Sequence, residues 1–162
     1  CDGVLLGNGP GDPRDLPALV ERVRKLFAVR GGSLPLFGIC LGHQLLARAA
    51  GADTYKLPFG HRSHNQPVID LLSRRAYVTS QNHGYAVDTA TLPADFAPWF
   101  ENLNDGTNEG LRHRYRPLLS VQFHPEAAAG PRDTAFLFDE FLRMVTAIKS
   151  SRTAPISSTV QP

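Results

Sequence analysis

The 162-residue sequence predicts an α/β fold with a mostly parallel central sheet flanked by helices. Two observations carry this class. The front of the chain reads strand, loop, helix, strand, turn, helix, the order expected when parallel strands are joined by helical crossovers. The last apolar segment, 134–149, repeats at helical spacing and supplies a further helix. Composition agrees, because 42% hydrophobic and 20% charged residues suit a globular chain long enough to bury a core.

Each element has a local reason. Val4-Leu5-Leu6 is a short apolar strand that ends in "GNGPGDP" (7–13), a loop whose glycines let backbone approach a ligand. Asp15 is placed to cap a helix carrying Leu16, Leu19, Val20, Val23, Leu26 and Phe27, and Gly31-Gly32 stops it. "LPLFGI" (34–39) has the length of a buried strand. Leu41, Leu45, Leu46 and Ala49 then form one helical face, closed by Gly51. Between 52 and 123, short strand candidates at 77–80, 85–88, 111–113 and 118–123 alternate with turn-rich segments. Of these segments, "NLNDGTNEG" (102–110) is suited to turn a hairpin. The final helix, 134–149, presents Leu137, Phe141, Met144, Val145 and Ile148 on one face, with Asp133 placed to cap it.

The termini and the charge bound the rest. The chain opens on Cys1-Asp2-Gly3 with neither methionine nor signal-peptide features, and reads as cut from something longer. The expected organisation is one domain over 1–149 and a flexible Ser/Thr/Pro-rich tail or linker over 150–162. A formal net charge of +2 points to neither nucleic acid nor a membrane surface as partner. No apolar run is long enough to span a bilayer. Two cysteines cannot build a disulfide framework, so a reducing compartment, the cytoplasm, is expected.

Chemistry concentrates at Cys40. "GICLG" (38–42) places it between two glycines where a strand gives way to a helix, the thiol form of a nucleophile elbow. Small residues are needed on both sides because the turn is tight and the helix packs close. The helix N-terminus favours thiolate over thiol, and the Leu41 N–H is free to hold an oxyanion. A small buried core cysteine is the competing reading.

A thiol nucleophile needs a base and a group that orients the base. His43, His61, His64, His83 and His113 each make a weak case. His61 and His64 stand three apart, but no cysteine or carboxylate joins them at metal-ligand spacing, so no metal site is expected. His124 ends the apolar strand "LLSVQF" at the edge where α/β sites lie, and Glu126 stands two residues on, within reach of the imidazole. Its competing reading is a surface turn with a chance His and Glu.

"GICLGHQ" followed by "VQFHPE" resembles the class I (triad) glutamine amidotransferases, whose fold is flavodoxin-like. "GNGPGDP", "TYKLPFGHRSHNQPV" (54–68), "TSQNHGYAVD" (79–88) and "FHPEAAAGPRDTAFLFDEFL" (123–142) narrow this to the glutaminase domain of carbamoyl-phosphate synthetase. The motifs occur in the family's order, from Cys1 to about Ile148. The resemblance implies hydrolysis of L-glutamine by a triad of Cys40, His124 and Glu126. It places Gly9, Gly11, Leu41, Gln44, Asn82, Gly84 and Tyr85 at the substrate, with Gly9 the oxyanion partner of Leu41. The Tyr85 position is more often phenylalanine, and His83 reads as structural. It implies no cofactor in this domain; ATP and magnesium belong to the synthetase partner, a large subunit or fused synthetase domains. The absence of a G-K-[ST] loop agrees.

The family's fold begins before the segment matching "CDGVLL", so the first strands and one glutamine contact are expected to be missing. "LPADFAPWFENLNDGTNEG" (92–110) looks closer to the fused, pyrimidine-pathway eukaryotic type than to a separate small subunit. The ammonia is expected to feed carbamoyl phosphate synthesis for the pyrimidine or arginine pathway. The competing functions are a non-catalytic regulatory domain on the same fold and the glutaminase of another amidotransferase. Loss of a triad residue would favour the former, and all three are present. "SQNHG" and the extension after His-Pro-Glu argue against the latter.

Overall fold

The computed structural model describes residues 1–127 and 131–153. Seven strands form one mixed sheet: β1 (Val4–Leu6), β2 (Leu36–Ile39), β3 (Thr54–Asp70), β4 (Ala76–Val87), β5 (Phe96–Asn102), β6 (Asn108–His113) and β7 (Leu118–Val121). Their spatial order is β1-β2-β7-β6-β5-β3-β4. β1, β2 and β7 are parallel, and every further ladder is antiparallel. In the parallel part a helix connects β1 to β2, whereas β7 returns to β2 only after the whole antiparallel part. The antiparallel part is built from hairpins, including the 102–110 turn between β5 and β6.

Helices α1 (Pro17–Leu26) and α2 (Leu41–Ala50) cover one face and α3 (Phe136–Thr153) the other. Alternation along the strands sorts the core accordingly. Leu36 of β2 and Leu118 of β7 meet Val20, Val23, Leu45 and Leu46. Phe37, Ile39, Leu119 and Val121 pack with Trp99, Phe100 and Leu137 instead. The Phe37 ring lies 5.9 Å from Phe138 and 5.7 Å from Phe141, which fastens α3 to the centre of the sheet.

Several local expectations change. Asp15 caps no helix: Asp12 caps a 3₁₀ turn, Pro13–Asp15, by accepting from the Arg14 N–H at 2.9 Å. α1 then starts at Pro17, whose fixed φ and missing N–H suit a first helical position. Segments 77–80 and 85–87 belong to the single long strand β4, and Asp88 caps the 3₁₀ turn that follows it. β3 and β5, which the alternation pattern did not disclose, carry Pro58, Gly60, Pro67 and Pro98, residues that ordinarily mark turns. α3 runs on to Thr153, so residues 150–153 extend the helix rather than open the tail. There the Ser151 hydroxyl donates to the Ile148 carbonyl at 2.8 Å, and Arg152 pairs with Asp2 at 3.3 Å. The remainder of the expected tail, 154–162, lies outside the described residues. Among the described residues, no helix is long and apolar enough to cross a membrane.

Candidate active site

The site forms where β1, β2 and β7 end. Cys40 follows β2 directly, and its N–H donates to the Val121 carbonyl at 2.9 Å, tying it to the end of β7. Its backbone is in the left-handed region at φ 55°, which a residue with a Cβ rarely adopts. The flanking glycines have steric reasons. A Cβ on Gly38 would lie 2.6 Å from the Gly42 carbonyl oxygen, and one on Gly42 would collide with the Leu6 carbonyl oxygen. The Gly42 N–H donates to Gly7 at 3.2 Å, so α2, β2 and the loop after β1 are fastened around the sulfur. Cys40 is buried, and it stands at the N-cap of α2, at the positive end of the helix dipole.

His124 reaches the same point from β7. It is held by its N–H donating to the Ser80 carbonyl at 2.9 Å, and its Nδ1 lies 2.8 Å from Glu126 Oε1. Its pKa is pushed up to about 10, first by interaction with the Cys40 sulfur and then by the Glu126 hydrogen bond, against the effect of burial. Both contacts favour the protonated imidazole. Burial pushes the Glu126 carboxyl up, but the His124 hydrogen bond, a backbone hydrogen bond and the His124 charge together outweigh it and leave the group below its usual range.

A cleft of about 600 Å³ opens over the sulfur. Cys40 and His124 line its floor, and every residue expected to bind substrate lines it too: Gly9, Gly11, Leu41, Gln44, Asn82, Gly84 and Tyr85. A Cβ on Gly9 would lie 2.8 Å from Leu41 Cδ2, so a glycine allows the 7–13 loop to rest on the start of α2. Leu41 is the first residue of α2, so its N–H has no acceptor within the helix. Gln44 Nε2 donates to the Tyr85 carbonyl and to Gln122 Oε1, both at 2.9 Å, which leaves its carbonyl oxygen as the group open to a ligand's donor. These bonds, with that from His124 to Ser80, bring β4 across the strand ends.

The cleft also contains Lys56 and Arg62, two cations that the reading of the sequence had not singled out. The signal was present in "TYKLPFGHRSHNQPV" but could not be read without knowing which side of β3 faces the cleft. His43 points away from it: fully buried, it sits 2.9 Å from Ser120 Oγ and is driven down to about 3 by burial, so it stays neutral. His61 is met by a carboxyl group after all. His61, His83 and Glu109 bring their ligating atoms within 4.8 Å of one another, while His64 bonds Ser80 instead. The partners come from β4 and β6, too far along the chain for spacing to reveal.

A family model described as glutamine amidotransferase class-I matches residues 1–144. The carbamoyl phosphate synthase arginine-specific small chains of Neosartorya fischeri and Candida albicans are each 53% identical, over 153 and 150 residues. These matches cover 94% and 93% of this chain but 33% and 35% of the relatives, so the chain spans about a third of their length. A Thermoplasma acidophilum protein assigned as a GMP synthase subunit superposes with a TM-score of 0.80 at 22% identity, over 94% of this chain and 77% of that one. A Thermotoga maritima glutamine amidotransferase gives 0.62 at 21%, over 93% and 66%. At such identities the solved structures speak for the fold alone. The family pattern nevertheless runs through nearly all of the α/β domain, and the chain belongs to the class I glutamine amidotransferases.

Proposed function

We propose that the chain hydrolyses L-glutamine to glutamate and ammonia, with Cys40 as nucleophile, His124 as acid and base, and Glu126 as the group that orients His124. One observation carries this reading: a backbone-strained cysteine at a helix N-terminus shares the cleft with an imidazole that is itself bonded to a carboxylate. The Cys40 thiolate adds to the side-chain amide carbon, and the N–H groups of Leu41 and Gly9 hold the oxyanion. His124 gives its proton to the leaving nitrogen, ammonia departs, and a glutamyl thioester remains. The now neutral His124 takes a proton from water as that water attacks the thioester. Collapse releases glutamate and restores the thiolate and imidazolium.

The cleft supports this assignment. Gln44, Asn82, Gly84 and Tyr85 supply polar groups for the amino-acid end of glutamine, and Lys56 and Arg62 add positive potential for its carboxylate. No step calls on a metal or cofactor. The ammonia serves carbamoyl phosphate synthesis through a synthetase large chain or fused synthetase domains. The arginine-specific small chains among the relatives favour a separate small chain, over the fused pyrimidine-type arrangement that the 92–110 segment resembles.

The test measures ammonia release from glutamine by the chain joined to the additional length found in its relatives, with and without a synthetase large chain, beside Cys40→Ser. Release is expected in the wild type, stimulation by the partner, and loss in the variant. Equal rates in wild type and Cys40→Ser would remove the nucleophile assignment.

A further inference from the structure

Behind the cleft lies a group of buried polar side chains that the reaction above does not use. His61 Nε2 lies 2.9 Å from Asp105 Oδ2, and its Nδ1 lies 3.0 Å from Gln81 Oε1 and 3.2 Å from Glu109 Oε1. Gln81 presents its oxygen because its amide nitrogen donates to Thr79 Oγ1, whose hydroxyl in turn donates to the Gln66 carbonyl. The ring meets acceptors at both nitrogens, two of them carboxylate oxygens, an arrangement that favours the imidazolium. Its pKa is accordingly pushed up to about 9, first by the bond with Glu109, with burial opposing and Asp105 adding to the rise. Glu109 is fully buried; Asn102 Nδ2 donates to its Oε1 at 3.0 Å, and its Oε2 has no partner among the described residues. His61 is the cation that faces it.

The bridge continues to the substrate side. Gln81 Oε1 lies 2.9 Å from His83 Nε2, and His83 Nδ1 lies 2.8 Å from the Tyr85 carbonyl, the acceptor that also takes the Gln44 amide. The two imidazole rings meet edge to face at 4.8 Å. This path runs past a break in the β3–β4 ladder. Lys56 pairs with Tyr85 and His61 with His83, so Gly84 stands opposite a four-residue excursion, 57–60, with no ladder partner of its own. Asn82, His83 and Tyr85 keep their ladder partners, so the gap is confined to Gly84, and the side-chain chain crosses it.

We propose that His61 is a positioning residue which, by bridging Asp105, Glu109 and Gln81, holds residues 82–85 of β4 at the spacing that bound glutamine requires. This rests on the glutaminase reading and deepens it. Glutamine affinity is the sensitive quantity, because His61 touches neither the nucleophile nor the base. His61, His83 and Glu109 also stand close enough to hold a metal ion, so the test must separate a proton bridge from a metal bridge.

The experiment uses the full-length protein with its synthetase partner and reads KM and kcat for ammonia release together with the melting temperature. His61→Ala is expected to raise KM about tenfold while kcat stays within about twofold. Asp105→Asn, on the exposed side of the bridge, is expected to raise KM in the same direction by about two- to threefold with little change in melting temperature. An unchanged KM in both variants, or a fall in kcat alone, would overturn the positioning role. Wild-type KM is expected to survive a chelator; a KM that rises with chelator and recovers with zinc would overturn the proton bridge. Wild-type activity no greater than that of Cys40→Ser would instead overturn the glutaminase reading, and this inference with it.

Discussion

Two features of Cys40 constrain its neighbours: the left-handed backbone and the contact of α2 with β1. Gly42→Ala would drive a methyl group into the Leu6 carbonyl, so it is expected to destabilise the fold by about 2 kcal/mol or more, read as a shift in the denaturant midpoint. Glu126 raises the pKa of His124 and fixes the orientation of its ring. Glu126→Gln is therefore expected to lower kcat by on the order of 10²-fold and to move the alkaline limb of the pH–rate profile to lower pH. His61 yields a stability prediction with a definite sign. Its folded pKa of about 9 exceeds the ordinary 6.5, so its stabilisation is complete below about pH 6.5 and is lost as pH rises through 9. The difference in melting temperature between wild type and His61→Ala is expected to shrink from neutral pH to about pH 10.

Among the elements, those with a strong period were the legible ones. α2 was readable because Leu41, Leu45, Leu46 and Ala49 repeat at helical spacing and Gly51 ends the helix in the left-handed conformation, at φ 108°. β2 was readable as an apolar run because it is buried on both faces. β3 was not, because a bent strand with two register shifts tolerates Pro58, Gly60 and Pro67, and its side chains serve a polar interior. The junctions between these elements and the apolar face beneath α3 contribute separately. Leu137, fully buried against the far face of the sheet, should cost about 2–5 kcal/mol on replacement by alanine. The KM of that variant for glutamine is expected to stay unchanged, which the same ammonia assay checks.

For the whole molecule, topology converts distant motifs into one cleft. β2 and β7 are neighbours although 78 residues separate Gln44 from Gln122, the pair whose amides meet beneath the site. β1 lies at one end of the strand order, with β2 its only ladder partner among the described strands. The chain covers about a third of its relatives' length, and the proposed transfer of ammonia is tested at this scale. Stimulation of ammonia release by the synthetase partner is the expected sign, checked by titrating the partner at saturating glutamine.

Local chemistry in the sequence was sufficient for the α/β class, the elbow at Cys40 and the pairing of His124 with Glu126. Each of these depends on residues adjacent in the chain, where spacing and side-chain type fix the geometry. The resemblance of the ordered motifs to a family supplied the residues expected at the substrate, all of which line the cleft. The tertiary structure alone decided that Lys56 and Arg62 face the cleft and that His61 meets Glu109 and Gln81. Those contacts join β3, β4 and β6 across bulged antiparallel ladders, and a shift of one residue in register would turn the same side chains to the other face.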